Sequence, residues 1–382
     1  MLNGFSIDDI FKKLQNACEN MKKANIIVVG KTGVGKSTLI NSIFREEIAE
    51  TGIGRPVTQH LQKITKEGVP ITLYDTKGLE LNSEVQAEIK KEILDEIDNC
   101  NKVCIDHNDK NELIHVCWYC LDSSSSRCED TDREWISDIS KKIPVIVVLT
   151  KAFPKNVAKA FKKEIESLNL NCRAIVPVLA QPYEDIDEDN EDDEVTIINS
   201  YGLEKLVDIT NDILPDGVKE AFTNAQKVSI DKKVSQARKW VIGYVAETAV
   251  VGMSPIPFSD APILAGSQLT MLIHITTIFG VQLDKAFLVS IISAAGGIAG
   301  VTFAGRTLVS NLAKLIPGVG TLAGGAISAT VAGIMTTALG YSYISVMKFM
   351  LEQEAKGYTV SNEEISQKMK EELKKEMSKK RN

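Results

Sequence analysis

The sequence predicts an α/β fold, a mostly parallel doubly wound sheet with helices on both faces, followed by an all-α hydrophobic helical domain. Between residues 24 and 215, short β-rich runs alternate with amphipathic helical stretches, which is typical of βαβ units. From Lys227 onward this alternation ends. Residues 240–350 consist mainly of Ala, Gly, Ile, Val, Leu and Thr with few charges, which indicates helices that are apolar on most of their faces.

The elements of the α/β region can be placed in order from their apolar patterns. The predicted strands are short runs of residues typical of buried strands: Asn25–Gly30, Ile71–Asp75, Leu113–Leu121, Pro144–Thr150 and Ala174–Ala180. The predicted helices have apolar residues at helical spacing: Ser37–Phe44, Ser83–Asp98, Asp130–Lys141, Lys155–Leu168 and Gly202–Leu214. Residues 99–112 are expected to form an excursion between a helix and a strand.

Four segments are expected along the 382 residues. Residues 1–23 carry apolar side chains at helical spacing and are predicted to form an amphipathic helix. The α/β domain is predicted to span residues 24–215, and the hydrophobic helical domain residues 216–350. The polar residues 351–382 are predicted to form a C-terminal helix or tail.

The uneven charge of the chain limits the classes of partner. The formal net charge is −7, but the stretch from Glu184 to Glu194 carries nine acidic residues and no basic one. Those nine exceed the whole excess of the 51 acidic over the 44 basic residues. We expect this stretch to be a solvated loop, and the near-neutral remainder gives no reason to expect a nucleic-acid partner. Seven cysteines is an odd number, for which a reduced cytoplasmic compartment is the simpler interpretation.

Residues 30–37, GKTGVGKS, match a glycine-rich phosphate-binding loop. The motif follows the strand pattern NIIVV and precedes the helix-like TLINSIF, which is the context that such a loop requires. Its glycines let backbone N–H groups surround phosphate oxygens, toward which the helix also directs its positive end. We expect Lys36 to contact the β- and γ-phosphates and Ser37 to bind Mg²⁺. The predicted nucleotide-binding residues of the loop are Gly30, Thr32, Gly33, Val34, Gly35, Lys36, Ser37 and Thr38.

Two further segments would complete the phosphate and metal site. After the strand ITLY, Asp75 can hold Mg²⁺ through water and the N–H of Gly78 can contact the γ-phosphate. The segment RPVTQH lies between the two motifs and offers Thr58 as the hydroxyl that closes on both ligands, with Thr51 as the alternative. The predicted metal-binding residues are Ser37, Thr58 and Asp75. The predicted catalytic residues are Lys36, Thr58 and Gly78.

These motifs resemble the first three motifs of the translation-factor-related GTPase superfamily. Within it, the GxTGVGKS form and the later WYCLDSSSSR resemble Era-like, septin-like and immunity-associated GTPases over roughly residues 24–215. The resemblance implies a P-loop G domain that binds GTP and GDP with Mg²⁺. It also implies that the protein hydrolyses GTP and acts as a nucleotide-dependent switch.

The fourth and fifth motifs of this superfamily are matched only in part. Thr150 and Lys151 fit the fourth motif, Asn/Thr-Lys-x-Asp, and Ala180 is the candidate for a backbone N–H that meets the base. Phe153 stands where the family has an aspartate that accepts two hydrogen bonds from guanine. The resemblance favours GTP, and an ATP-binding protein stays open as the alternative.

The expected catalysis also departs from the family pattern. Leu79 follows Gly78 where many relatives have a glutamine that orients water, so we expect slow hydrolysis without a homodimer partner or activator protein. Arg55 and Arg127 are candidates for stabilising charge, although each is more simply a structural or surface arginine. A non-hydrolysing nucleotide-dependent scaffold stays open as a second hypothesis.

The cysteines have a spacing that superficially suggests zinc, with Cys100, Cys104, Cys117 and Cys120 close in sequence. However, Cys117 and Cys120 lie within the predicted strand LIHVCWYCL. Side chains three residues apart on a strand point to opposite faces, so these two cannot share one tetrahedral ion. Ordinary buried thiols are the simpler interpretation.

Three nearly charge-free runs, 261–283, 286–305 and 315–347, are each long enough to cross a hydrocarbon layer of about 30 Å. Their Gly, Ser and Thr content offsets part of the apolar gain, so the free energy of inserting them into a membrane is close to zero. Two interpretations stay open: a membrane-associated module acting through residues 240–350, and a soluble helical bundle. Residues 236–350 resemble a C-terminal helical domain of unknown function on uncharacterised bacterial-type GTPases. This resemblance favours the first interpretation, a cytoplasmic protein associated with a membrane.

Overall fold

The computed structural model divides the chain into two compact units, Met21–Ser229 and Met1–Asn20 with Ile230–Asn382. The structure describes residues 5–6, 12, 16, 22–44, 53–66, 69–76, 83–107, 111–186, 195–251, 261–281, 285–295, 302–303, 312 and 329–379.

The described strands and helices follow one another along both units. In chain order the strands are β1 (Phe5–Ser6), β2 (Ala24–Val29), β3 (Ile53–Pro56), β4 (Leu61–Lys66), β5 (Val69–Thr76), β6 (Val116–Asp122), β7 (Val145–Thr150), β8 (Ala174–Pro177), β9 (Tyr183–Ile186), β10 (Val195–Ile198) and β11 (Thr302–Phe303). The helices are α1 (Lys36–Ile43), α2 (Ser83–His107), α3 (Asp130–Ser140), α4 (Lys155–Ser167), α5 (Leu203–Ile213), α6 (Asp216–Ala225), α7 (Ile230–Val251), α8 (Ala261–Phe279), α9 (Lys285–Ala294), α10 (Ala329–Glu354) and α11 (Asn362–Ser378).

The large sheet of the first unit joins its described strands in the order β3-β4-β5-β2-β6-β7-β8. The strands β5, β2, β6, β7 and β8 run parallel, whereas β3 and β4 form an antiparallel edge. On one face the sheet packs against α1, α5 and α6 through residues such as Leu39 and Phe222. On the other face it packs against α2, α3 and α4 through residues such as Ile93 and Phe161. The predicted mostly parallel, doubly wound fold is confirmed.

One element of this unit is longer than the sequence analysis predicts. Residues 99–107, expected to be part of an excursion, instead form the last turns of α2. Cys100 is buried together with Ile89, Ile93 and Ile97 in the same core. These four residues recur every three or four positions and form one apolar stripe, which explains why the helix continues beyond Asp98.

The sequence analysis also missed three antiparallel strand pairs and the packing of one helix. In this unit the described pairs are β3 with β4, β4 with β5, and β9 with β10. Glu184 and Asp185, expected in a solvated loop, lie in β9. Helix α6 begins after the predicted domain boundary at residue 215 but packs in the first unit. There the ring of its Phe222 meets Phe44 edge to face at 6.2 Å. The first unit extends to Ser229 for this reason.

The second unit is helical around a core of its own. Helix α7 packs on α10, α8 packs on both, and α11 packs on α9 and α10. At Gly340 of α10, a Cβ would lie 2.6 Å from the Val241 side chain of α7, so the absent side chain allows this close helix contact. A buried lysine, Lys233, donates from Nζ to the carbonyl oxygen of Ile278 at 3.0 Å, near the carboxyl end of α8.

The C-terminal segment contributes to this core. Ile365, Met369, Leu373 and Met377 of α11 recur every four residues and are all buried. The segment that the sequence analysis describes as a polar helix or tail therefore contains a helix with one buried apolar face. Its first turn is fixed by reciprocal hydrogen bonds between Ser361 and Glu364.

Residues 5–6 depart from the amphipathic helix predicted for residues 1–23, whereas the described residues Lys12 and Asn16 are helical. Phe5 and Ser6 are extended and pair antiparallel with Phe303 and Thr302. Of the remaining predicted helix, only isolated positions belong to the described residues.

In the part of the chain that the structure describes, no helix is both long enough and apolar enough to cross a membrane.

Candidate functional site

The phosphate-binding loop joins the carboxyl end of β2 to the first turn of α1. Its first glycine lies against the neighbouring strand, since a Cβ on Gly30 would be 2.6 Å from the backbone oxygen of Cys120. Gly35 has a φ of 96°, a left-handed conformation that favours glycine, and it precedes the first residue of α1. The N–H groups in the first turn of a helix lack partners within that helix. The loop therefore presents the arrangement that binds phosphate.

The lysine of the loop is held inside this turn. Lys36 is only 8% exposed, and its Nζ donates to the carbonyl oxygens of Gly30 at 2.8 Å and Lys31 at 3.2 Å. Burial lowers the pKa of Lys36, while the nearby Asp75 carboxylate opposes that shift. The ammonium group is thus positioned at the loop by carbonyl oxygens that phosphate oxygens can replace.

The carboxylate predicted to assist the metal lies on the next strand. Asp75 is near the end of β5 and is in register with Val28 of β2. Its Oδ1 is buried and has no hydrogen-bond partner among the described residues. Burial raises the pKa of Asp75, and Lys36 partly offsets this effect. A buried carboxylate oxygen without a partner matches the oxygen-rich environment that Mg²⁺ prefers, so the residues present fit the ion.

Thr150 connects the phosphate loop to the centre of the sheet. At the end of β7, its Oγ1 lies 2.5 Å from the Val34 carbonyl oxygen and 3.0 Å from that of Leu121 on β6. The threonine side chain is buried, and its hydrogen bonds hold the phosphate-binding loop in place at the carboxyl ends of the strands. The structure thus brings the first and fourth sequence motifs into direct contact.

Lys151 follows in a left-handed backbone conformation, with a φ of 49°. Its Nζ forms an ion pair with Asp122 Oδ2 at 2.8 Å, while Ser124 Oγ donates to Asp122 Oδ1 at 2.6 Å. Burial acts to raise the pKa of Asp122, but the hydrogen bonds from Lys151 and Ser124 outweigh it and lower the pKa. The charged end of Lys151 is therefore held to one side, against the turn that follows β6.

A cavity of about 540 Å³ begins at the phosphate loop and extends along the ends of β7 and β8. It is lined by Gly35, Thr38, Ser124, Thr150, Lys151, Phe153, Pro154, Leu179, Ala180, Gln181, Pro182 and Tyr183. The rings of Phe153 and Tyr183 lie 4.7 Å apart between centroids and are inclined by 31°. The cavity joins the phosphate loop to the predicted base-binding residues Thr150, Lys151 and Ala180.

Thr58 lies on the turn between β3 and β4. Its hydroxyl donates to Glu92 of α2 and accepts a hydrogen bond from the Leu61 N–H at 3.1 Å. His60 Nδ1 lies 3.3 Å from the same Glu92 carboxylate. In this conformation Thr58 contacts α2, and its predicted place at the metal ion stays a prediction.

The remaining predicted residues differ in how far the structure describes them. Thr32, Gly33 and Ser37 are exposed in the loop or the first turn of α1, and Arg127 is exposed after β6. For Arg55 only the backbone, in β3, is described. The predictions for Thr51, Gly78 and Leu79 lie outside the described residues.

Two features clarify what the sequence does and does not reveal about the site. Cys117 and Cys120 belong to cores on opposite faces of the sheet, which confirms the argument against a shared zinc ion. Tyr183 was missed, although it lines the cavity. The signal that could have found it is its position between Pro182 and the acidic stretch, shortly after the predicted base-binding residue Ala180.

Two family models match different parts of the chain. Residues 25–151 match the family described as 50S ribosome-binding GTPase, and residues 218–377 match a domain of unknown function, DUF697. The fold and the phosphate loop thus define a GTP-binding P-loop GTPase domain. The chain joins this domain to a C-terminal helical domain of the DUF697 kind.

Curated relatives include septins. Septin-9 of Homo sapiens is 28% identical over 208 residues, covering 49% of this chain and 35% of septin-9. Neuronal-specific septin-3 of Rattus norvegicus is 26% identical over 221 residues, covering 50% of this chain and 59% of that protein. The chain therefore spans roughly a third to three fifths of the length of these relatives.

Solved structures include GTP-binding proteins that match about half of the chain. A probable GTP-binding protein EngB is 22% identical, covers 50% of this chain and 98% of its own length, and has a TM-score of 0.34. The septin GTPase domain from Chlamydomonas reinhardtii is 17% identical, covers 48% and 87% respectively, and has a TM-score of 0.32.

Proposed function

We propose that this chain binds Mg²⁺ and GTP in the cavity, hydrolyses GTP to GDP and acts as a nucleotide-dependent switch. The main support is the pair of Lys36 and Asp75. Lys36 already contacts two carbonyl oxygens of the loop, and the buried Oδ1 of Asp75 has no partner among the residues that the structure describes. A polyphosphate with a cation beside it would satisfy both groups, because its oxygens would accept from Lys36 and Asp75 would help to hold the cation.

When bound, Mg²⁺ would neutralise charge on the β- and γ-phosphates. The residues that would hold it are Ser37, Thr58 and Asp75. Ser37 is supported by its position directly after Lys36 in the first turn of α1. Asp75 is supported by its unpartnered oxygen. Thr58 would have to release Glu92 before it could bind the ion.

This release is the proposed switch. Thr58 and His60 share the Glu92 carboxylate in the observed conformation, which holds the β3–β4 turn against α2. GTP with Mg²⁺ would favour a second conformation in which Thr58 and Gly78 contact the ion and the γ-phosphate. Hydrolysis removes that phosphate and returns the turn to α2. We propose that the helical domain responds to this change.

Hydrolysis is tested by single-turnover phosphate release from the full chain, with protein in excess over GTP. We expect release that depends on Mg²⁺ and accelerates as protein concentration rises, since the second copy or an activator would supply the missing catalytic group. Binding of GTP without any phosphate release over hours would favour a non-hydrolysing scaffold. A fast rate that is independent of protein concentration would contradict the proposed need for a partner.

We also propose that the helical domain associates with a membrane surface through residues 240–350. The support is the low charge of the three apolar runs in that region. Flotation of the full chain with liposomes, with GTP, with GDP and without nucleotide, tests this. Co-flotation that changes with the nucleotide is expected, and a chain that stays at the bottom of the gradient under all three conditions would contradict it.

A further inference from the structure

The polar groups along the cavity are distributed unevenly between its two ends. At the phosphate end, Gly35 and Thr38 line the cavity beside the loop that holds Lys36. Toward the base end, Thr150 contacts two carbonyl oxygens, and both Lys151 and Ser124 contact Asp122. Gln181 also lines this end and is exposed. Three of the polar side chains toward the base end are therefore already engaged with protein atoms.

At the base end the lining is mainly apolar and aromatic. Phe153 is half-buried, and its ring packs against that of Tyr183, which is 45% exposed. Leu179 and Pro154 complete the walls. Among the lining residues that the structure describes, no side chain is a carboxylate. A planar base entering here would meet aromatic rings.

The missing carboxylate has a defined chemical consequence. Guanine carries an N1–H and a 2-amino group, and a carboxylate facing them would accept a hydrogen bond from each. A site built around such bonds rejects an analogue that lacks one of them by large factors, because a buried polar group is left unpaired. An apolar wall discriminates far less between ligands that differ by one such group, because no polar group of the wall is left unpaired. Phe153 presents such a wall.

We propose that the pocket binds 6-oxopurine nucleoside triphosphates irrespective of the substituent at position 2 of the base, with the backbone N–H of Ala180, which lines the cavity, as the donor to the 6-oxo group. Phe153 is the residue that removes recognition of this position, and Tyr183 supplies aromatic contact with the ring. The proposal rests on the proposed function, because it concerns the nucleotide that the same site binds. Inosine nucleotides should therefore bind with nearly the same affinity as guanosine nucleotides.

GTP and ITP form the most direct test pair, since inosine differs from guanosine only by lacking the 2-amino group. Their affinities are measured by competition against one fluorescent GDP derivative on the full chain with Mg²⁺. We expect GTP and ITP to bind within about threefold of each other, because no described lining side chain is a carboxylate that would accept a bond from the amino group. A larger preference for GTP would overturn the proposal and indicate a carboxylate from elsewhere, such as the acidic stretch.

Variants at residue 153 locate the effect. Phe153→Asp is expected to raise the preference for GTP over ITP roughly tenfold or more, the usual effect of one hydrogen bond to a charged group. The matched control Phe153→Leu keeps an apolar side chain and should leave the ratio unchanged. An unchanged ratio in Phe153→Asp, in protein with a normal circular dichroism spectrum, would refute the assignment to residue 153.

Tyr183 tests the aromatic contact separately. Tyr183→Ala is expected to weaken GTP and ITP equally, by roughly tenfold, because stacking does not depend on the substituent. Tyr183→Phe should retain both affinities. A change in the ratio, or no loss at all, would contradict the role given to this ring. Failure of both nucleotides to bind at millimolar concentration would instead remove the proposed function itself.

Discussion

The two ends of the nucleotide cavity follow different chemical rules. At the phosphate end, the glycine loop, Lys36 and Asp75 keep a charged and hydrogen-bonding arrangement, and Asp75 Oδ1 has no partner within the described part of the chain. At the base end, Phe153 and Tyr183 form an aromatic wall. Affinity for a polyphosphate and selectivity for a base can therefore be separated within one pocket. Substitutions at the phosphate end should change the affinity for all nucleotides strongly, and substitutions at the base end should change the ratio of the affinities for GTP and ITP.

Lys36→Ala should have the largest effect on affinity. The lysine is the buried cation at the loop, and its loss removes charge-assisted hydrogen bonds worth roughly 1.5–3 kcal/mol each. We expect GTP and ITP to lose 100-fold or more in affinity, equally, in the same competition assay. Lys142→Ala is the matched control, because Lys142 pairs with Asp98 on the surface, at 2.7 Å. An unequal loss would show that the two ends of the cavity are coupled.

Asp75→Asn should weaken Mg²⁺-dependent GTP binding while it stabilises the nucleotide-free protein. The substitution removes the carboxylate charge that would help to hold Mg²⁺, so the benefit of Mg²⁺ for GTP binding should fall by roughly tenfold or more. Titrations with Mg²⁺ and with EDTA measure this benefit. A variant whose GTP affinity responds to Mg²⁺ as the wild type does would remove Asp75 from the metal site.

The same variant carries a pH signature in the nucleotide-free protein. Burial raises the pKa of Asp75 in the folded state, so ionisation of this group costs stability as pH rises through that pKa. Asp75→Asn should therefore stabilise the free protein at pH 7. The gain should disappear below the ordinary pKa of aspartate, about 3.9, where the carboxyl group is protonated in both states. Chemical denaturation at several pH values tests this, and a constant difference would contradict it.

Thr150→Val should have an intermediate effect. The substitution keeps the shape of the side chain but removes the hydroxyl that joins the Val34 and Leu121 carbonyl oxygens. We expect a stability loss of roughly 1–3 kcal/mol, together with a several-fold loss of affinity that is equal for GTP and ITP. Denaturant midpoints and the competition assay measure the two effects. Unchanged stability would show that Thr150 does not fix the loop.

Glu92→Ala should have the smallest effect on the affinity for GTP, and it should raise that affinity. It frees Thr58 and His60 from α2, so GTP with Mg²⁺ no longer has to break these contacts. Affinity for GTP should rise by roughly two- to fivefold, the equivalent of one net hydrogen bond. Glu112→Ala is the control, since Glu112 pairs with Lys63 of β4. Equal effects of the two substitutions would argue against release of Thr58.

The sequence was most informative where a local pattern determines structure. The loop GKTGVGKS between an apolar strand and a helix fixes both a fold and a phosphate site, because its glycines and lysine act within eight residues. The parallel strands were predictable from their buried runs. The hairpin β3–β4 was not, since an antiparallel edge strand such as LQKITK has few apolar residues.

For the base end of the site, the sequence shows only that the aspartate of the fourth motif is absent. Phe153 was visible as a departure from a motif, but its partner Tyr183 lies 30 positions away and meets it through the fold of β7 and β8. The contact between Thr150 and Val34 is likewise long-range, across 116 positions. Helix α6 packs in the first unit although its residues are predicted to belong to the helical domain, because its apolar spacing does not reveal which core it faces.

The most direct test of the central claim is a calorimetric titration of the full chain with GTP, in Mg²⁺ and in EDTA. The site of Lys36 and Asp75 predicts saturable binding of one nucleotide per chain, at least tenfold tighter with Mg²⁺ than with EDTA. No heat of binding at millimolar GTP, or equal affinity in the two buffers, would contradict it.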